Sequence, residues 1–77
     1  MYIDIEQNSV TIQMEFDKNS LYQIYIVDLK SNQKKILKEE TVANIGNYYE
    51  RFDLSPGIYV VVCVINGVVE TQKIIIK

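Results

Sequence analysis

The dipeptide Asn66-Gly67 separates two long apolar runs and is the strongest folding signal in the chain. Asn-Gly is the preferred pair of a type I′ turn, because both positions tolerate a positive φ. The sequence therefore predicts a β-hairpin of strands 58–65 and 68–76. A two-residue turn pairs Ile65 with Val68, Cys63 with Glu70, Val61 with Gln72 and Tyr59 with Ile74 on one face, and Val64 with Val69, Val62 with Thr71, Val60 with Lys73 and Ile58 with Ile75 on the other.

Neither face of this predicted hairpin is purely apolar, because Glu70, Gln72 and Lys73 interrupt the second strand. We therefore expect the last strand to lie at a sheet edge or to contain a bulge that shifts its phase. At an edge, Glu70 and Lys73 would discourage pairing with other sheets.

The rest of the chain has the composition of an all-β protein. Its 77 residues include 12 Ile, 9 Val and 6 Tyr, but only 4 Leu and 1 Ala. Stiff β-branched and aromatic side chains favour strands, whereas Ala and Leu favour helices. The length allows a single domain, residues 1–77.

Five further strands precede the hairpin, at 2–7, 10–16, 21–29, 35–40 and 48–54. The second alternates most clearly, with Val10, Ile12, Met14 and Phe16 on one face. We interpret residues 41–47 as a loop that crosses between sheets. Seven short strands with turn signals between them indicate a β-sandwich.

The charge balance and the missing residue types exclude several classes of function. The net charge is only −2, whereas a binder of nucleic acid or anionic membranes needs a basic surface. The single cysteine excludes an internal disulfide and any zinc site with two or more cysteines. No apolar run has the length of a transmembrane helix, and residues 1–6 are not a signal peptide. We predict no metal or cofactor, no nucleic-acid partner and no membrane insertion.

Several segments resemble a known family. Residues 53–61, Asp53-Leu54-Ser55-Pro56-Gly57-Ile58-Tyr59-Val60-Val61, are similar to the Gly-x-Tyr segment of Bacteroidetes immunoglobulin-like modules. Residues 24–32 resemble the strand and turn that precede it. Residues 71–77 resemble the last strand of type IX secretion C-terminal sorting domains, and 3–16 match related short secreted Bacteroides domains of unknown function.

The resemblance implies a small immunoglobulin-like antiparallel β-sandwich of six or seven strands, and a secreted or cell-envelope location. It also implies that Tyr59, Val61 and Cys63 point to the core, whereas Val60, Val62 and Val64 point outward.

The chain offers no convincing catalytic group, and we predict that it is not an enzyme. Cys63 lies in the most apolar strand, where a thiol is more often a buried small hydrophobe than a nucleophile. The carboxylates are scattered. The segment Asp17-Lys18-Asn19 begins like a calcium loop but lacks the later ligands, which favours a plain turn.

Two side-chain groups suggest binding, each with a simpler interpretation beside it. Tyr22, Tyr25, Tyr48 and Tyr49 could form a platform for sugars, but neighbours in a strand face opposite sides, so Tyr48 and Tyr49 cannot share one face. Core packing is expected for at least half of the tyrosines.

The basic hairpin of Lys30, Lys34, Lys35 and Lys38 is better explained as a solvated turn.

The strand at 58–65 is apolar on both faces, which leaves a candidate contact surface of Val60, Val62, Val64 and Val69. Either a neighbouring loop covers this surface, or a protein partner or a weak homodimer does.

We expect a non-enzymatic module of a secreted or cell-envelope protein, such as a C-terminal sorting or accessory domain. The alternative is a surface module that binds a glycan or a protein.

Overall fold

The computed structural model describes residues 1–77 as seven strands and no helix. The strands are β1 (Tyr2–Glu6), β2 (Ser9–Phe16), β3 (Ser20–Asp28), β4 (Gln33–Ala43), β5 (Gly46–Asp53), β6 (Gly57–Ile65) and β7 (Val68–Ile76). They form a three-stranded sheet in the order β1-β2-β5 and a four-stranded sheet in the order β4-β3-β6-β7. All pairs are antiparallel. The predicted all-β sandwich is therefore confirmed.

The hairpin of β6 and β7 has the predicted register at every position. Its turn residues Asn66 and Gly67 have φ values of 49° and 82°, as a type I′ turn requires. The predicted edge position of β7 is also confirmed, and β7 pairs with β6 without a bulge.

Polar residues on the inward side of β7 stay exposed. Glu70 and Gln72 alternate in phase with the buried Ile74 and Ile76, yet both are exposed. Glu70 accepts a hydrogen bond from the N-terminal ammonium group of Met1, over 3.3 Å. An inward charge of this kind protects an edge strand from pairing with another sheet.

The strand β4 is longer than its sequence predicts. It extends to Ala43, because Thr41 and Ala43 pair with Tyr22 and Ser20 of β3. The predicted loop 41–47 therefore had the wrong boundaries, although the chain does cross between the sheets there. The crossing needs only residues 44–45, between β4 and β5.

The core lies between the two sheets and joins side chains from both of them. The predicted alternation of β2 is confirmed, since all four of its apolar residues are buried there. The twelve core residues are Val10, Ile12, Met14, Phe16, Tyr22, Ile24, Ile26, Tyr59, Val61, Cys63, Ile74 and Ile76.

The strand order differs from that of a constant-type immunoglobulin sandwich in the position of one strand. In constant-type immunoglobulin domains the first, second, fifth and fourth strands share a sheet, opposite the third, sixth and seventh. Here β4 has left the first group and pairs with β3. As a result, one sheet is broad and the other narrow.

Candidate functional site

The segment that carries the family resemblance forms a hydrogen-bonded corner between the sheets. The Tyr59 hydroxyl donates to the carbonyl oxygen of Ser55 over 2.7 Å. This arrangement is a tyrosine corner, which in immunoglobulin-like folds ties the start of the sixth strand to the preceding connection. A Cβ at Gly57 would lie 3.4 Å from the ring of Tyr59, which is an ordinary van der Waals contact. Gly57 does not have a positive φ, so neither space nor backbone conformation requires glycine here.

The other two residues of that segment are structural as well. Leu54 packs against the core, and its amide donates to the carbonyl oxygen of Asn8 over 2.9 Å. Asp53 ends β5, where it pairs with Ser9. The motif is thus a local folding element. Leu54 and Tyr59 also border a small cavity of about 190 Å³, together with Asp28, Lys34 and Lys35.

Cys63 is fully buried in the centre of the four-stranded sheet. Its Sγ lies 3.3 Å from the Sδ of Met14 in the facing sheet. Burial raises the pKa of the thiol, and the negative charge of Glu70 adds to this shift. A nucleophilic cysteine needs a lowered pKa and access to substrate, so this environment favours a packing role.

No group of three or more Cys, Asp or Glu side chains comes close enough to hold a metal ion. Asp17 and Asn19 are exposed in the connection between β2 and β3.

The outward side of the four-stranded sheet, which we call the broad face, is mostly apolar. Its central row crosses all four strands as Ile36, Tyr25, Val62 and Thr71. Val62 faces outward, yet it is only 6% exposed. It lies between Tyr25 of β3 and Thr71 of β7. Val60 and Val64 are half-buried, whereas Val69 is 60% exposed.

Further apolar side chains extend the broad face in both directions. Leu21 pairs with Val42 at one end, and Ile58 pairs with Ile75 at the other; all four are exposed. The four valines named from the sequence are therefore the centre of a larger apolar surface.

Lysines flank this apolar surface on both sides. A second row reads Lys34, Val27, Val60 and Lys73, so that a lysine stands on each outer strand. The Nζ of Lys34 lies 4.0 Å from the centroid of the Tyr25 ring, a cation–π contact. Two exposed carboxylates of β4, Glu39 and Glu40, lie opposite Gln23 at the register shift and have no partner on β3.

The outward side of the three-stranded sheet, which we call the narrow face, is polar. Its first row is Tyr2, Gln13 and Tyr49, and the next is Asp4, Thr11 and Arg51. These side chains border a shallow cleft of about 300 Å³. Tyr2 and Tyr49 are each 60% exposed, so two aromatic rings stand beside a floor of hydrogen-bonding groups.

Tyr48 and Tyr49 are neighbours in β5 and point to opposite sides of the sheet, as strand geometry requires. Tyr48 turns inward, where its ring packs edge-on against Tyr22 at 5.7 Å, and Tyr49 faces solvent. The Tyr48 hydroxyl donates to the carboxylate of Glu50. Burial first, and this hydrogen bond second, raise the pKa of Tyr48.

Sequence reasoning missed the aromatic pair of the narrow face, because it did not bring Tyr2 together with Tyr49. The alternation of β2 did predict that its polar residues Thr11 and Gln13 point outward. Which strands flank β2 depends on sheet order, and no local pattern reports that order.

Comparison of the chain with protein-family models, with curated proteins and with solved structures found no match. The chain has no helix long and apolar enough to cross a membrane.

Proposed function

We propose that the domain is a non-enzymatic interaction module of a secreted or cell-envelope protein, and that it associates through the broad face. The observation that carries this proposal is the continuous apolar surface around Val60, Val62, Val64 and Val69. Exposed apolar patches of this extent on small domains are typical of protein contacts.

The size of the broad face suits a contact between two domains. The molecule measures 36 × 23 × 15 Å between Cα atoms, so a face that spans its two longer dimensions is the largest surface that it offers. A face of 36 × 23 Å is close to the roughly 800 Å² that each partner contributes to a standard interface. A second copy of the domain offers the same area with the same apolar character.

The expected association is weak. Burying about 600 Å² of apolar surface is worth on the order of 15 kcal/mol before costs. Lost rotational freedom and side-chain ordering offset most of that. The flanking Lys34 and Lys73 add repulsion in a symmetric pair, unless their ammonium groups stay in solvent.

Sedimentation of the isolated domain at rising concentration tests the proposal. Val69→Lys places a charge on an exposed position of the broad face, and Val68→Lys is the matched control. Val68 is 70% exposed but lies on the opposite side of the same strand. Val62→Lys is unsuitable, because a lysine buried at that site would destabilise the fold.

We expect a weak dimer for the wild type and for Val68→Lys, and a monomer for Val69→Lys with an unchanged circular dichroism spectrum. A wild-type domain that stays monomeric at millimolar concentration contradicts the proposal. So does equal association of the two variants.

The secreted or envelope location is supported by the resemblance of residues 53–61 and 71–77 to sorting domains and related modules. A reporter fused to residues 1–77 in a type IX-secreting cell tests the sorting role. Export to the cell surface would support it. Retention of the reporter in the periplasm would leave an accessory module.

A further inference from the structure

We propose that the narrow face binds a neutral oligosaccharide, in the cleft between Tyr2 and Tyr49. This inference is independent of the broad face, because the two surfaces lie on opposite sheets.

The spacing of the two rings fits a short sugar chain. Tyr2 and Tyr49 belong to the outer strands β1 and β5, and both pair with Gln13 of the central strand. Two strand spacings place their backbones about 10 Å apart, which exceeds the width of one pyranose ring. The apolar C–H faces of sugars pack against aromatic rings, so the two tyrosines can contact successive sugar units.

The floor between the rings supplies the hydrogen bonds that sugar hydroxyls need. The Gln13 amide and the Thr11 hydroxyl both donate and accept, and the Asp4 carboxylate accepts. The Nε of Arg51 donates to Ser9 Oγ over 2.8 Å. This contact holds the guanidinium in place, while its terminal nitrogens make no hydrogen bond within the chain and remain available to a ligand.

The charges of the narrow face select against anionic ligands. Asp4 and Glu6 on β1 and Asp53 on β5 accompany the single cation Arg51. A uronate or sulfated chain would meet a net negative surface. A neutral chain meets only donors, acceptors and two aromatic rings, which is why we commit to a neutral oligosaccharide.

Native electrophoresis in gels that contain a soluble polysaccharide tests this proposal. The neutral probes are mixed-linkage β-glucan, xylan and galactomannan, and the anionic probe is polygalacturonate. We expect at least one neutral polymer to retard the domain, and polygalacturonate to leave its mobility unchanged.

The decisive variants are Tyr2→Ala and Tyr49→Ala, with Val68→Ala as the control. Val68 is 70% exposed and lies on neither the narrow face nor the broad face, so its loss should not affect retardation. Each of the other two changes should weaken binding roughly tenfold, since a ring contact is lost. Both tyrosines are largely exposed, so the fold should survive; thermal melts verify that.

Three results would overturn the proposal. They are no retardation by any neutral polymer, retardation by polygalacturonate alone, or unchanged retardation of the Tyr2→Ala/Tyr49→Ala double variant. None of them bears on dimerisation through the broad face, so the two proposals fail separately.

Discussion

The side chain of Tyr59 stabilises both the core and the connection between β5 and β6. Its ring lies in the core, and its hydroxyl holds the carbonyl of Ser55 four residues earlier in the chain. The tyrosine of the Gly-x-Tyr segment is therefore explained by contacts within the domain and does not require a ligand.

The hydroxyl of Tyr59 can be removed without disturbing its ring. We expect Tyr59→Phe to lower the free energy of unfolding by about 1 kcal/mol, because one hydrogen bond is lost. Urea denaturation measures the change. Tyr25→Phe is the control, since the Tyr25 hydroxyl makes no hydrogen bond within the chain. Equal stability of Tyr59→Phe and wild type would show that the corner bond contributes nothing.

At the level of the strands, the β6–β7 turn also contacts a third strand. The Asn66 Oδ1 accepts from the Leu21 amide over 2.9 Å, and the Asn66 amide donates to the Leu21 carbonyl over 2.7 Å. Asn66 thus provides a left-handed turn residue and connects the hairpin to the start of β3. Gly at this position would keep the left-handed φ and the backbone bond to Leu21, but it would lose the side-chain bond.

Two substitutions separate these contributions of Asn66. Asn66→Gly keeps the left-handed φ and loses the side-chain bond, which should cost about 1 kcal/mol. Asn66→Ala loses the bond and also strains the backbone, so a loss of about 2 kcal/mol is expected. Chemical denaturation of both variants measures the difference. If Ala and Gly are equally destabilising, the turn conformation does not limit stability.

Local patterns predict some elements well and others poorly. The Asn-Gly turn and the alternation of β2 follow from backbone sterics and from one buried face, so both were predicted correctly. The ends of β4 were missed, because an edge strand with exposed Lys34, Lys35, Glu39 and Glu40 carries little apolar alternation. Its length is set by pairing with β3, which is a tertiary effect.

Across the whole molecule, the sequence predicts which residues alternate but not which strands become neighbours. The hairpin places Val60, Val62 and Val64 on one face, but only the family resemblance implied that this face points outward. The low exposure of Val62 depends on Tyr25, which a different strand brings beside it. The cleft of the narrow face likewise exists only once β1 and β5 flank β2.

The core also determines how the stability of the whole domain depends on pH. Burial raises the pKa of Cys63, Tyr22 and Tyr48 in the folded chain. On unfolding, these groups return to their ordinary pKa values, 9.0 for the thiol and 10.0 for the phenols. At a pH above those values the unfolded chain binds fewer protons than the folded one, so stability falls as pH rises.

We therefore expect the free energy of unfolding to fall once the pH passes the ordinary thiol value of 9.0. Denaturant titrations over a series of pH values measure this. Cys63→Ala should be less stable at neutral pH, because it leaves a cavity, but its stability should fall less steeply around that pH. Identical slopes in both proteins would show that the thiol takes no part.

Because Cys63 is buried, its reaction with a thiol reagent can be used to measure how often the folded domain opens. It is the only thiol of the protein, and it lies on an inner strand with its sulfur against Met14 of the facing sheet. We expect a water-soluble thiol reagent to react with Cys63 when β6 and β2 separate, so the rate of labelling reports openings that expose the core.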